Sequence, residues 1–341
     1  MEQKHLWLSP RSIVVIMIIL VVAVAVLGAR SCRSSSPGKG EPLTIGTIAD
    51  LAGTPVYVAA EQGFFRKNGL DVTIKDYDMG LAAAAALLKG EVDIALMTEF
   101  VIVGKALQKQ AISIIASHDK AQSVYLVTRK GRGRENIADL KGKRIGLARR
   151  GIAEFYLGRL LERQGRAAGE ITLVDLRPAK AVAAFLAGQV DAVLVRQSFV
   201  EQIRQQLGDG IVVQPAQSDQ PVYSVMAGRN DWLARHPQRV RNFLQALVQA
   251  EEYLLHHPAA AKAIIQKRLK FDDAFLAGAW PHHQFLLTLD YSLIAAMNDE
   301  ARWMIRNTLT AEKTVPNFRE YIHLDGLKAV KPQAVGILEA R

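Results

Sequence analysis

Charged and polar side chains follow several apolar, strand-like runs of this 341-residue sequence, at the point where each run ends. Asp50 and Glu99 offer carboxylate oxygens that suit an amine, whereas Arg149 and Arg196 offer paired N–H groups that suit an oxyanion. The sequence contains no Gly-x-Ser-x-Gly, His-Glu-x-x-His or phosphate-binding Gly-Lys-Ser/Thr motif. We therefore predict non-covalent binding of a small polar molecule, with no catalytic residue and no cofactor.

The positions of these residues predict that they meet in space. In an open parallel sheet, ligands bind beyond the carboxyl ends of the strands, where helix N-termini present free N–H groups. Residues at the ends of separate strands can therefore line one site. The predicted ligand-binding residues are Asp50, Thr54, Gly80, Leu81, Thr98, Glu99, Arg149, Gly151, Ala153, Arg196 and Gln197.

Most of these candidates also have a structural interpretation, which the sequence leaves open. If both carboxylates face the cleft, a zwitterion, an aminopyrimidine or an amine suits the site better than a bare anion. Tyr57 is predicted to lie in the core, and Trp280 and Phe285 are predicted to pack between helices rather than to clamp a flat ring. The structural roles to weigh are a tight turn at Gly80, an N-cap at Thr98, solvated carboxylates at Asp50 and Glu99, and lobe-bridging ion pairs at Arg149 and Arg196.

Two nearly identical stretches predict the elements that position these residues. Gly90–Leu96 reads GEVDIAL, and Gly188–Leu194 reads GQVDAVL, 98 positions later. Each follows an alanine-rich, helix-like run, so each glycine is predicted to end a helix in a left-handed conformation and each aspartate to begin a buried strand. A helix–glycine–strand unit repeated at this spacing predicts two similar α/β lobes with a cleft between them, where small ligands bind.

The order of strand-like and helix-like runs predicts where each lobe begins and ends. Their alternation predicts a doubly wound, mainly parallel sheet in each lobe. We place lobe 1 at residues 43–125, lobe 2 at 126–222, and a return to lobe 1 with a helical C-terminal third at 223–341. Ser123–Thr128 and Pro221–Ala227 are predicted to be the two strands that cross between the lobes. Other predicted strands lie at residues 43–48, 70–75, 92–97, 112–116, 144–148, 171–175 and 191–195.

The N-terminal segment predicts export. Ile13–Ala29 contains 17 apolar or small residues without a charge, and basic residues precede and follow it. Residues 1–30 are therefore predicted to be a secretory signal peptide or a retained membrane anchor, with lipidation of Cys32 as a third alternative. Residues 31–42 are rich in Ser, Pro and Gly and predict a flexible tether. We place the folded part in the periplasm or at the outer face of the cytoplasmic membrane.

Composition excludes several kinds of site and partner. Cys32 is the only cysteine, which excludes disulfides, thiolate metal sites and cysteine nucleophiles from the folded part. The pairs His256–His257 and His282–His283 are adjacent in sequence and do not share a helix face, so we predict no metal site. The formal net charge of +10 suits an anionic ligand, a lipid surface or scattered surface cations. An exported chain meets little nucleic acid, so we predict no nucleic-acid partner, and we predict a monomer.

Several short segments occur in a recognisable order and spacing. They are Tyr57–Phe65 (YVAAEQGFF), Asn68–Val72 (NGLDV), Asp139–Gly146 (DLKGKRIG), His236–Pro237 with Phe243, Leu244 and Ala246, and Glu252–Pro258, together with the two Gly-x-Val-Asp units. Through them, over roughly residues 43–335, the chain resembles the exported solute-binding proteins of nitrate, sulfonate, taurine and thiamine-pyrimidine-precursor transporters. The resemblance implies a type II periplasmic binding protein, whose two lobes close on a ligand by hinge motion.

The same resemblance implies a function in transport. The expected role is the extracytoplasmic component of an ABC transporter, which binds a sulfonate, nitrate, taurine or pyrimidine-like solute and delivers it to the membrane permease. A membrane-anchored sensor that signals to a partner protein is the alternative, and the retained-anchor interpretation of the N-terminus favours it. An enzyme of pyrimidine-precursor synthesis is disfavoured, because the relatives that make the thiamine pyrimidine carry a cysteine-rich motif that the chain lacks.

Overall fold

The computed structural model of the protein describes residues 40–131, 140–166, 168–217 and 220–337. The apolar segment Ile13–Ala29 and Cys32 lie outside these ranges, as does nearly all of the predicted tether. The signal, anchor and lipidation alternatives therefore stay predictions. Within the described ranges, no helix is both long and apolar enough to span a bilayer.

A mixed sheet forms the centre of the first lobe. Its described strands are β1 (Glu41–Ile48), β2 (Leu70–Tyr77), β3 (Ile94–Thr98), β4 (Ile112–Ala121), β10 (Val222–Arg229) and β11 (His283–Gln284). These six strands lie in the order β11-β4-β10-β3-β1-β2. β1 is parallel to both β2 and β3, while β10 lies antiparallel between β3 and β4. The strands β1 to β4 consequently all point the same way, as the alternation of strands and helices predicts.

The second lobe repeats this plan with a sheet whose described strands are β5 (Val124–Arg129), β6 (Arg144–Leu147), β7 (Thr172–Asp175), β8 (Ala192–Arg196) and β9 (Ile211–Pro215). These five strands lie in the order β7-β6-β8-β5-β9. β6 is parallel to β7 and β8, and β5 lies antiparallel between β8 and β9. The two predicted crossing segments thus become β5 and β10: β5 runs against the other strands of its sheet, and β10 runs against β1 to β4.

The two Gly-x-Val-Asp units have the same structural role in the two lobes. The Asp93 carboxylate accepts a hydrogen bond of 2.8 Å from the Thr44 N–H, and the Asp191 carboxylate accepts one of 2.9 Å from the Arg144 N–H. The backbone N–H of each aspartate in turn donates to the carbonyl of the same partner residue. Each aspartate therefore fixes the start of its strand against the first parallel strand of its lobe, which confirms the predicted two-lobed α/β fold.

The helices follow the predicted pattern, with one interruption near the N-terminus. A single helix is expected over residues 54–68, but Gly63 adopts a left-handed φ of 68° and divides it into two. The helices of the first lobe are α1 (Thr54–Glu61), α2 (Phe64–Lys67), α3 (Gly80–Lys89) and α4 (Glu99–Leu107), and those of the second are α5 (Ile152–Arg163), α6 (Pro178–Leu186) and α7 (Gln197–Leu207).

The C-terminal third adds helices rather than a third sheet. The helices are α8 (Asn230–Arg235), α9 (Pro237–His256), α10 (Pro258–Leu269), α11 (Asp273–Ala279), α12 (Tyr291–Arg306) and α13 (Asp325–Val330). Among them, α9 packs against α1 and α2, and α12 packs against α4, so this part of the chain covers the first lobe.

An apolar contact joins the two lobes beside the cleft. Phe155 of α5 packs edge-on against Trp303 of α12, with ring centres 5.4 Å apart, and lies 5.7 Å from the ring of Phe100 in α4. Gly158 permits this approach, because a Cβ at that position would lie only 2.3 Å from the Trp303 ring. The second lobe therefore packs directly against the first through these aromatic rings.

Candidate ligand-binding cleft

A cavity of about 580 Å³ lies between the lobes at the carboxyl ends of their parallel strands. The loops after β1, β2 and β3 form its first-lobe wall, and those after β6, β7 and β8 form its second-lobe wall. Such convergence is what the doubly wound topology predicts. The predicted site residues that line the cavity are Asp50, Gly80, Leu81, Thr98, Gly151, Ala153 and Arg196.

An ion pair connects the lobes at the floor of this cavity. Arg196, the last residue of β8, places its Nη1 atom 3.1 Å from Oδ2 of Asp50. The other carboxylate oxygen of Asp50 accepts a hydrogen bond of 3.0 Å from the Ala52 N–H, which fixes the side chain at the end of β1. The side chain of Asp50 is only 10% exposed, and that of Arg196 is 21% exposed. Arg196 therefore bridges the lobes and still borders the cavity.

The charged residues that line the cavity leave it with one positive charge in excess. Asp78 and Arg177 form a second ion pair between the lobes, with side chains that are 45% and 65% exposed. Together with Asp50, Arg196 and the exposed Lys180, the lining has three cations and two carboxylates. The cavity consequently favours a ligand with a negative charge.

Two small polar pockets, of about 10 Å³ each, flank the Asp50–Arg196 pair. His118 lines one of them, and Ser123 and Gln197 line the other. All three residues have buried side-chain polar atoms without a hydrogen-bond partner of normal geometry in the described part of the chain. Because buried polar groups are normally paired, these atoms mark the floor of the cleft as a place for a polar group of a ligand.

Sequence reasoning did not select His118. The predicted fourth strand ended at residue 116, whereas β4 continues to Ala121 and carries His118 to the end of the sheet where the cleft lies. The carboxylate of the adjacent Asp119 is hydrogen-bonded to Nδ1 of His283 at 2.9 Å. Inspection of the polar residues that follow the fourth apolar run would have found His118.

Two of the predicted site residues are placed in the core rather than in the cavity. Thr54 is fully buried, and its hydroxyl donates a hydrogen bond of 2.6 Å to the Leu51 carbonyl. Glu99 is also fully buried and accepts a hydrogen bond of 2.9 Å from the Tyr223 N–H. Burial raises the pKa of the Glu99 carboxyl group far above its usual range. Neither residue lines the cleft, since both point into the packing between helices and strands.

Two other candidates lie close to the cavity without lining it. Both Nε and Nη2 of Arg149 donate to the Glu154 carboxylate at 3.1 Å, and Arg149 borders a separate groove of about 460 Å³ beside α4. Gln197 lies in one of the small polar pockets below the cavity floor.

The aromatic residues pack as the sequence predicts. Tyr57 lies in the core and donates to the Ile48 carbonyl at 3.0 Å, whereas Trp280 and Phe285 pack against each other with ring centres 4.9 Å apart.

Gly80 combines a place in the cavity wall with close packing. A methyl group on Gly80 would lie 3.1 Å from Cβ and 3.3 Å from Cα of Met97 in β3. The Gly80→Ala variant is therefore expected to unfold at lower denaturant concentration, with a loss of about 1–3 kcal/mol in the free energy of unfolding. Gly151→Ala is the matched control, because its methyl group would meet only the Ala148 carbonyl at 3.4 Å. Equal stability of the two variants would contradict this packing role.

The comparisons with known proteins agree with this architecture. The sequence profile of the family described as NMT1/THI5 like matches residues 52–261. A protein of Brucella abortus (strain 2308) whose name records only a binding role is 27% identical over 240 residues, which are 69% of this chain and 74% of the relative. The taurine-binding periplasmic protein of Escherichia coli (strain K12) is 27% identical over 210 residues, covering 60% of this chain and 64% of that protein.

Enzymes also occur among the relatives. The 4-amino-5-hydroxymethyl-2-methylpyrimidine phosphate synthase of Aspergillus parasiticus is 25% identical over 226 residues, covering 61% of this chain and 64% of that protein.

Among solved structures, the periplasmic aliphatic sulphonate binding protein SsuA from Escherichia coli superimposes with a TM-score of 0.71 at 18% identity, covering 83% of this chain and 97% of that one. The profile matches more than half of the chain, so the protein belongs to the NMT1/THI5-like family and has the two-lobed fold of periplasmic binding proteins.

Proposed function

We propose that the protein is the solute-binding component of an ABC importer, which binds a small sulfonate- or taurine-like solute between its lobes and delivers it to a membrane permease. The observation that carries this function is the cavity of about 580 Å³ at the strand ends of both lobes, with Arg196 at its floor. A guanidinium group in a largely enclosed site is well suited to hold an oxyanion through paired N–H groups.

The charge of the lining supports an acidic solute. Three cations and two carboxylates border the cavity, and Glu99, a carboxylate that the sequence suggested for the site, is buried elsewhere. The arrangement that would favour an amine or aminopyrimidine, with Asp50 and Glu99 both in the cleft, is therefore absent from the lining, and the two carboxylates that do line the cavity, Asp50 and Asp78, are each paired with an arginine. The relatives named for taurine and aliphatic sulfonates support the same class of solute.

The proposed role requires the cleft to be outside the cytoplasm. The apolar segment Ile13–Ala29 with its basic flanks supports export, and the E. coli relative is named as a periplasmic protein. We place the protein in the periplasm or at the outer face of the membrane, where it would meet its permease as a monomer.

Thermal unfolding of the purified protein with a panel of solutes tests this function. The panel contains taurine, short alkanesulfonates, 1-hexanesulfonate, nitrate, aminopyrimidines, amines and amino acids, with sodium chloride at equal ionic strength as the control. A solute at a hundredfold excess over its Kd should stabilise the fold by about 2.7 kcal/mol, which raises the unfolding midpoint. We expect the shift with sulfonates.

The other outcomes separate the alternatives. A shift with aminopyrimidines alone would contradict the sulfonate assignment and favour the ligand class of the pyrimidine-synthesising relatives. No shift with any solute would contradict the receptor role and favour a sensor that acts through a partner protein.

A further inference from the structure

His118 has a combination of properties that a purely structural histidine would not need. Its side chain is fully buried in β4, at the floor of the cleft. Neither ring nitrogen makes a hydrogen bond of normal geometry with the described residues, although the backbone of Ala52 lies near enough to favour the protonated ring. An unpaired buried imidazole is unfavourable unless it meets a partner that the chain itself does not supply.

The pocket in front of His118 has the size of one oxygen atom. Its volume is about 10 Å³, and Thr47, Thr98 and Ser224 add hydroxyl groups to its wall. Four of its lining residues, Asp50 and Arg196 among them, also line the cleft cavity. An oxygen of a ligand bound in the cavity can therefore reach the imidazole while the rest of its head group stays beside the Arg196 guanidinium.

The charge state of His118 suits this contact. Burial lowers the pKa of the imidazole to about 4, and the charge of Arg196 acts in the same direction. The ring is consequently neutral at neutral pH and offers one N–H donor and one acceptor. Arg196 supplies the positive charge for the head group, and His118 supplies a directed hydrogen bond.

The cavity above this floor is mostly apolar. Leu81, Val101, Ile152, Leu194, Phe199 and Phe271 contribute to its walls. A volume of about 580 Å³ falls within the range of roughly 300–1,000 Å³ that encloses drug-sized ligands. A two-carbon solute such as taurine would fill a small part of it, and its ammonium group would find no carboxylate free of an arginine partner among the lining residues.

Building on the proposed function, we infer that the ligand is an anion with a sizeable apolar body, and that His118 is a specificity-determining residue that holds one oxygen of its head group in the pocket below Arg196. The apolar body fills the cavity between the lobes. Different parts of the cleft therefore select the head group and the apolar body of the ligand.

Isothermal titration of the purified protein with 1-hexanesulfonate and with taurine tests both parts. The wild-type protein should bind 1-hexanesulfonate at least 30-fold more tightly than taurine. His118→Ala should weaken 1-hexanesulfonate binding at least tenfold, while His118→Gln, which keeps a neutral donor and acceptor, should stay within threefold of wild type. His323→Ala is the control and should leave Kd unchanged, because His323 does not line the cavity and is held by its backbone N–H, which donates to the Ile114 carbonyl. Unfolding midpoints without ligand verify that each variant is folded.

Each contrary result has a distinct meaning. If His118→Ala binds 1-hexanesulfonate with the same Kd as the wild type, His118 does not hold the head group, although the proposed receptor function still stands. A folded His118→Gln variant as weak as His118→Ala would show that the ring acts by shape rather than by hydrogen bonding. Equal Kd values for taurine and 1-hexanesulfonate would overturn the apolar-body part. Failure of the wild-type protein to bind any sulfonate would instead contradict the proposed function itself.

Discussion

Replacing Arg196 with alanine is expected to weaken sulfonate binding by at least about a hundredfold, or about 2.7 kcal/mol. Hydrogen bonds to charged groups contribute about 1.5–3 kcal/mol, and Arg196 can form two to one oxyanion. Its side chain is 21% exposed, so water screens the interaction only in part. Titration of the variant with 1-hexanesulfonate measures the loss, and an unchanged Kd would mean that the cleft floor does not hold the head group.

Loss of Arg196 also leaves Asp50 without its ion-pair partner, and we expect this to lower stability independently of binding. The double variant Asp50→Asn, Arg196→Gln separates the two effects, because it leaves no uncompensated carboxylate at the floor. We expect this double variant to unfold at nearly the wild-type midpoint and still to bind at least 30-fold more weakly. If it regains wild-type affinity, Arg196 acts only by neutralising Asp50.

Arg177→Ala is the matched control for the same experiment. Arg177 also pairs with a carboxylate across the cleft, but its side chain is 65% exposed and that of Asp78 is 45% exposed. Exposed ion pairs contribute about 0–1 kcal/mol, so this variant should change Kd by less than about fivefold. A larger effect than that of Arg196→Ala would place the head group at the rim of the cavity instead of at its floor.

The repeated local pattern explains why the fold was predictable from the sequence. A glycine that ends a helix and an aspartate that begins a buried strand are determined within a few residues, and Asp93 and Asp191 indeed bind equivalent backbone groups of the two lobes. Strand β9 was not predicted, because Ile211–Pro215 is short and ends in proline. Its place in the sheet depends on pairing with β5, a contact between residues more than 80 positions apart in sequence.

The site was harder to predict, because neighbouring residues at a strand end point in different directions. Thr98 lines the cavity, yet the next residue, Glu99, turns into the core, where it meets Glu300. That partner comes about 200 positions later in the chain, so no local pattern signals it. Arg149 is similarly drawn out of the cavity by Glu154, a partner that belongs to the first turn of the following helix. Sequence reasoning thus located the loops but not the direction of each side chain.

Glu99 and Glu300 form a buried pair of acids between α4 and α12. Both are fully buried, and the two carboxyl groups lie close enough to affect each other's ionisation. Burial raises the pKa of both groups, and the charge of Glu99 raises that of Glu300 further. The negative charge of Asp299 also raises the pKa of Glu300 and so opposes ionisation of the pair. The pair therefore retains a proton at neutral pH, shared between the Oε2 atoms, which have no other hydrogen-bond partner among the described residues.

This shared proton makes stability depend on pH in a definite direction. An unfolded glutamate has its ordinary pKa of 4.5, so between that value and the raised pKa the folded protein binds more protons than the unfolded chain. The stabilising contribution is complete below about pH 4.5 and is lost as the pH rises through the folded pKa. The loss is about 1.4 kcal/mol per pH unit for each retained proton. His118 does not obscure this pH dependence above pH 6.5. Its pKa is 6.5 in the unfolded chain and lower in the folded protein, so its titration changes stability only below pH 6.5.

The Glu300→Gln variant should accordingly become more stable than the wild type as the pH rises, by about 2 kcal/mol or more at pH 8. Glutamine keeps the size of the side chain and can donate to Glu99 without a shared proton. Urea unfolding between pH 6.5 and 8.5 should show a free energy of unfolding that falls less steeply with pH in the variant than in the wild type.

Glu154→Gln is the control, because this buried carboxylate is paired with Arg149 and its loss should destabilise the protein. Parallel pH profiles for Glu300→Gln and the wild type would mean that the pair holds no extra proton, and that the junction between α4 and α12 accommodates two charges.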